Sequence, residues 1–171
     1  MVRSAIDMVP GAEAGSVSVA SDGESASHGA TSKAAADLDA VQHALGEGPC
    51  LTALAAPPTA RTVVVAQDLT GSDARQWPRF APPAVELGYP AVLSLQLPTT
   101  PGTGASLNLY SQSSGSFEPA DVIVADMFIG HLAHLMFGDA AAAELSLPNP
   151  EMGPETEEEL RQLLGRQDDE P

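Results

Sequence analysis

Apolar and polar positions along the chain change period several times, and each change marks an element. Leu38, Val41 and Leu45 recur at helical spacing, which predicts an amphipathic helix over 37–45 that begins near Ser32 as its N-cap. Gly46 follows the last periodic residue, where a C-terminal cap needs positive φ. Pro49 suits the first turn of a second, short helix running through 51–55, and Pro57-Pro58 stops it. Ser16-Val17-Ser18-Val19-Ala20 alternates as a half-buried strand does, Asp22-Gly23 is a hairpin turn, and 24–31 is a weaker second strand. The β-branched run 62–66 and the segments 91–97 and 105–110 are further strands, the last two joined by a Pro-, Thr- and Gly-rich loop.

Residues 2–9 read as the end of a helix closed by Pro10-Gly11, and 68–75 as a polar connection. Residues 77–87 read as a helix in which Pro82 and Pro83 must lie in the first turn or make a kink. The last helix follows Ser116 or Glu118 and carries Pro119 early. Its apolar residues, Ile123, Met127, Ile129 and Met136 among them, leave little of its surface polar. The order α-β-β-α-(α)-β-α-β-β-α predicts an α/β (α+β) fold with a central antiparallel sheet flanked by helices. One domain over 1–145 is expected. Pro148, Pro150, Pro154 and the run Glu157-Glu158-Glu159 mark 146–171 as an acidic, Pro-rich and flexible tail.

Charge narrows the partners. Seven Lys+Arg stand against 23 Asp+Glu, a formal net charge of −16, which repels nucleic-acid phosphates and anionic membrane surfaces. One cysteine excludes an internal disulfide, and no basic-then-apolar leader precedes the first structured segment. The longest apolar stretch, 122–137, is interrupted by Asp126, Gly130, His131 and His134 and reads as too short to span a bilayer. A soluble, cytoplasmic protein is expected.

Three stretches then occur in order: LDAVQHALGEGPCLTAL, VVVAQDLTGSDARQWPRFAPPAVELGYPAVLSLQL and GASLNLYSQSSGSFEPAD. Together they resemble a GAF domain, in particular the sensory domain of actinobacterial regulators that carry a C-terminal RNA-binding ANTAR module. The resemblance covers roughly 16–137. It implies a sensory or regulatory role, a dimer through terminal helices, and a ligand cavity between the sheet and the elements covering one face. That cavity would be lined by Cys50, Trp77, Phe80 and the strand bearing Leu107, Asn108 and Tyr110, and would take an unidentified small molecule; a regulatory protein is the other expected partner. The acidic, proline-broken residues after Phe137 are unlike a basic RNA-binding bundle, so an antitermination output is not carried over. The Asn-Lys-Phe-x-Asp signature of cyclic-nucleotide-binding GAF domains is also missing. Two alternatives stand beside this reading. One is a ligand-free GAF-fold dimerisation or interaction module. The other is a free methionine sulfoxide reductase, disfavoured because that chemistry attacks and resolves with several cysteines.

Individual residues temper these expectations. Cys50 beside a helix start could be a redox sensor, but its neighbours lack positive charge and Glu47 opposes a thiolate, so inert packing is the better reading. Trp77 and Phe80 read more readily as core aromatics. His131 and His134 lie three apart on one helix, but zinc needs three or four convergent ligands and His28 and His43 fall in unrelated segments. No nucleophile elbow or phosphate loop is present, so no metal is expected, no cofactor is indicated and the chain reads as a non-enzyme. Self-association is expected through 120–137, with Ile129 and Met136 left uncovered by the sheet.

Overall fold

A computed structural model describes residues 1–57 and 61–138. The expected boundary near 145 and the acidic tail lie outside the described residues. Element order is α1 (Val2–Met8), β1 (Ala14–Ser21), β2 (Glu24–His28), α2 (Lys33–Leu45), α3 (Pro49–Leu54), β3 (Val63–Ala66), a 3-10 turn (Ser72–Arg75), α4 (Ala81–Glu86), β4 (Ala91–Leu97), β5 (Thr103–Ser111) and α5 (Pro119–Phe137). The five strands form one antiparallel sheet in the order β2-β1-β5-β4-β3, so the expected α+β architecture is present.

Local chemistry accounts for the boundaries. Ser32 caps α2 by accepting the Ala35 N–H at 3.1 Å, and Gly46 ends it in the left-handed region at φ 62°. Asp22 and Gly23 both take positive φ, as a tight hairpin between right-twisted strands requires. Helix α4 begins at Ala81, four residues later than the sequence pattern implied. Pro82 and Pro83 have no N–H to donate and fit only a first turn, which leaves Trp77–Phe80 as the turn leading in. Glu118 and Asp121 form a reciprocal capping box at the start of α5.

Both faces of the sheet are covered, and residue parity divides them. Odd-numbered positions of β1, β3, β4 and β5, such as Val17, Leu93, Leu95, Leu107 and Leu109, pack with α1 and α5 through Val2, Ala5, Ala125, Ile129 and Leu132. Even-numbered positions face α2, α3 and α4. At one end of that second face Val92 and Tyr110 join Leu38, Leu69, Trp77 and Phe80 in a smaller apolar cluster. The rest of it is polar.

Helix α5 corrects two expectations. Ile129 is 1% exposed and belongs to the sheet-facing core, and Met136 is half-buried against that core, so neither is uncovered; the row Ala125, Ile129, Leu132 and Ala133 is the one laid on the strands. The apolar residues left outside are Ile123, Met127 and Leu135, at 62%, 77% and 50% exposure. The helix is also long and apolar enough, by length and composition, to cross a membrane, because helical continuity extends from Pro119 through the interruptions seen in sequence.

Candidate functional site

The polar part of the α2–α4 face converges on one carboxylate. Cross-strand register aligns Ser16, Asn108 and Ser94 in one row and Ser18, Ser106 and Gln96 in the next. All six are buried, as are Asp39 and Gln42 on the helix above them. Asp39 Oδ1 accepts from Ser16 Oγ at 2.9 Å, Asn108 Nδ2 at 3.0 Å and Tyr110 OH at 2.6 Å, while Oδ2 accepts from Ser27 Oγ at 2.5 Å. Further hydrogen bonds orient these donors. Ser94 and Ser106 both donate to Asn108 Oδ1, which turns the amide N–H towards Asp39. Because the Ser106 proton is used there, the Cys50 thiol, 3.0 Å away, is the donor to Ser106. Gln42 Nε2 donates to the Tyr110 oxygen at 3.3 Å, and its Oε1 accepts the Cys50 backbone N–H at 2.9 Å, satisfying an N-terminal amide of α3.

These bonds all run towards Asp39, and such directed chains strengthen one another in a low dielectric. No buried side-chain nitrogen or oxygen among the described residues lacks a partner. What Asp39 lacks is a counter-charge: its four partners are neutral, and none of the three ion pairs among the described residues includes it. Burial pushes the Tyr110 hydroxyl well above the ordinary tyrosine range, and the Asp39 charge adds to that. Burial likewise raises the Cys50 thiol, only partly opposed by Ser106. His43, one turn after Asp39 on α2 and 2.5 Å from Ser18 Oγ, is held below its usual value by burial, with Asp39 pulling the other way.

The positions singled out in sequence divide into two groups. Cys50, Asn108 and Tyr110 meet in the network, with Cys50 fully enclosed. Trp77 and Phe80 lie in the adjacent apolar cluster, where the Trp77 indole N–H reaches Thr52 Oγ1 at 3.0 Å. The Glu47 carboxylate ties this segment down by accepting the N–H groups of Arg79 and Phe80 at 2.6 and 3.0 Å. Leu107, named with the same strand, points to the opposite face, as period two demands of the neighbour of Asn108. None of the five candidates lines either of two surface clefts. One, of about 380 Å³, runs between β2 and α2 past Ser27, Asp39 and His43. The other, of about 360 Å³, lies between α1, β1 and α5 and includes Arg3, His28 and Met136. Both α5 histidines, His131 and His134, are exposed, and no group of three His, Cys, Asp or Glu among the described residues is placed to hold a metal.

Sequence reasoning missed Asp39, Gln42 and the strand serines. A signal existed: Ala35, Leu38, Asp39 and Gln42 occupy one helical stripe, so a charge and an amide share the buried face with Ala and Leu.

Comparison of folds gives a structural neighbour. The chain superposes on the crystal structure of a domain from a protein assigned as a two-component sensor histidine kinase of Sinorhizobium meliloti 1021. The TM-score is 0.54 at 11% identity, covering 78% of this chain and 87% of that one. The two share a fold. No family model matches the chain, and no curated protein matches its sequence.

Proposed function

We propose that this chain is a cytoplasmic, GAF-like sensory and regulatory domain that signals through its terminal helices and pairs with a second copy along α5. One observation carries the reading: Ile123, Met127 and Leu135 stand in solvent on a helix whose opposite row is already packed on the sheet. With His131 they occupy a single i, i+4 ridge, the kind that interdigitates with an identical ridge at a crossing angle of about −50°. A two-fold pair satisfies both copies at once. The shared fold with a domain of a sensor kinase protein and the GAF resemblance of 16–137 support a signalling role.

A second reading, an interaction module without a ligand, draws on the completeness of the Asp39 network, whose donors and acceptors are already matched inside the protein. Either way the chain acts as a non-enzyme. A reductase for free methionine sulfoxide would need a resolving thiol beyond Cys50, and assays with a thioredoxin system should give background rates.

Light scattering on the full chain tests the association. A particle of twice 17.5 kDa is expected. Met127→Glu should yield a folded monomer whose melting temperature no longer depends on protein concentration, because Met127, 77% exposed, contributes little to the fold of its own chain. A wild-type monomer at high micromolar concentration would reject the pairing.

A further inference from the structure

We infer that the cleft between β2 and α2 is a binding site for a small organic cation, a primary ammonium on a short apolar body, recognised by Asp39. This inference does not depend on pairing through α5. Buried carboxylates are normally matched by a positive group or a metal. Asp39 has only neutral donors, and yet it borders a cleft of about 380 Å³ that is open to solvent. Ser27 Oγ alone covers Oδ2, and Ser27 belongs to an edge strand whose five residues are all exposed. Rotation of that one hydroxyl frees an acceptor at the cleft.

The geometry also selects the cation. Oδ1 is held from within by Ser16, Asn108 and Tyr110, so a planar guanidinium cannot engage both oxygens side by side. An ammonium is a compact charge with three donors, and Oδ2 with the hydroxyls of Ser25 and Ser27 supplies acceptors for them. A divalent metal would require more carboxylate or imidazole ligands than are gathered among the described residues. The methyl groups of Ala36 and Ala40 line the remaining wall and suit a short alkyl chain. Net charge of −16 raises the local concentration of any such cation.

The test is an NMR titration of the full chain with n-butylammonium chloride against butan-1-ol and sodium chloride. Saturable shifts centred on Ser27, Asp39 and His43 are expected with the ammonium and with neither control. Ala40→Leu fills the cleft from an exposed position without touching the network, and should weaken binding about tenfold or more while leaving the melting temperature unchanged. Asp39→Asn should weaken it by a similar factor, the scale of one charge-assisted hydrogen bond; should that variant not fold, Ala40→Leu decides. Absence of saturation in folded wild-type protein, equal shifts with butan-1-ol, or unchanged affinity in Ala40→Leu would each overturn the assignment. Light scattering on the same samples reports pairing separately, so loss of one result leaves the other readable.

Discussion

Tyr110→Phe isolates the hydrogen-bonding part of the core from its packing. The ring keeps its place and only the hydroxyl goes, an oxygen that is fully buried, donates to Asp39 Oδ1 at 2.6 Å and accepts from Gln42 at 3.3 Å. A hydrogen bond to a charged group is worth about 1.5–3 kcal/mol, and the long Gln42 contact adds no more than about 0.5–1 kcal/mol. Asp39 retains three donors and is not orphaned, so the expected loss is about 2–4 kcal/mol. That is a large share of a native stability of about 5–15 kcal/mol. With a urea slope of about 1.5 kcal/mol/M, the midpoint should fall by about 1.3–2.7 M at constant slope. Trp77, the single tryptophan, lies 3% exposed in the apolar cluster that contains Tyr110, so its fluorescence reports the transition directly. In an Asp39→Asn background the same substitution should cost less, since the two side chains act as a pair. A midpoint shift below about 0.3 M, or full additivity with Asp39→Asn, would refute a network centred on that carboxylate.

Other outcomes follow from neighbouring groups. Burial lowers the His43 pKa below its unfolded value of 6.5, so the unfolded chain takes up protons first and stability should fall as pH drops below that point. His43→Gln should flatten the urea midpoint across this window, and an identical slope in both proteins would discount His43. Gly48 adopts φ 146° and ψ 169°, and a Cβ there would lie 2.6 Å from Gln42 Cγ. Gly48→Ala should therefore cost about 2–4 kcal/mol by thermal or urea unfolding, whereas the open Gly88, with nothing within 4 Å of its Cβ, should cost less for the same change. Cys50, enclosed and with a raised pKa, should react with a thiol reagent only as fast as the protein opens; prompt stoichiometric labelling of the native state would contradict its placement.

The fold was largely legible because its punctuation is strong. Ser32, Gly46, Asp22-Gly23 and Pro49 each act through local backbone chemistry, and each stands at the boundary expected of it. The burial of polar residues was not. In LSLQL and ASLNLYS, alternation reads as one apolar face and one wet face, yet Ser94, Gln96, Ser106 and Asn108 are enclosed because α2 and α3 cover the second side. Tertiary covering leaves no trace in a period-two pattern. The same blindness affects α5: its sequence is apolar all round, and only the sheet decides that Ile129 is inside while Met127 is outside.

The parity of the sheet has a consequence for how the strands choose partners. A strand buried on both sides by apolar residues alone could shift one position and still be greasy everywhere. Here a one-residue slip of β5 against its neighbours would turn Ser106, Asn108 and Tyr110 towards α5 and set Leu107 and Leu109 against Asp39. At about 1–3 kcal/mol for each stranded polar group, three such errors amount to about 3–9 kcal/mol, comparable with the whole stability of a domain. The serines and the asparagine thus act as a mechanical key for alignment. Replacing them together with valine and leucine could leave a tighter core whose strands no longer know which register is native.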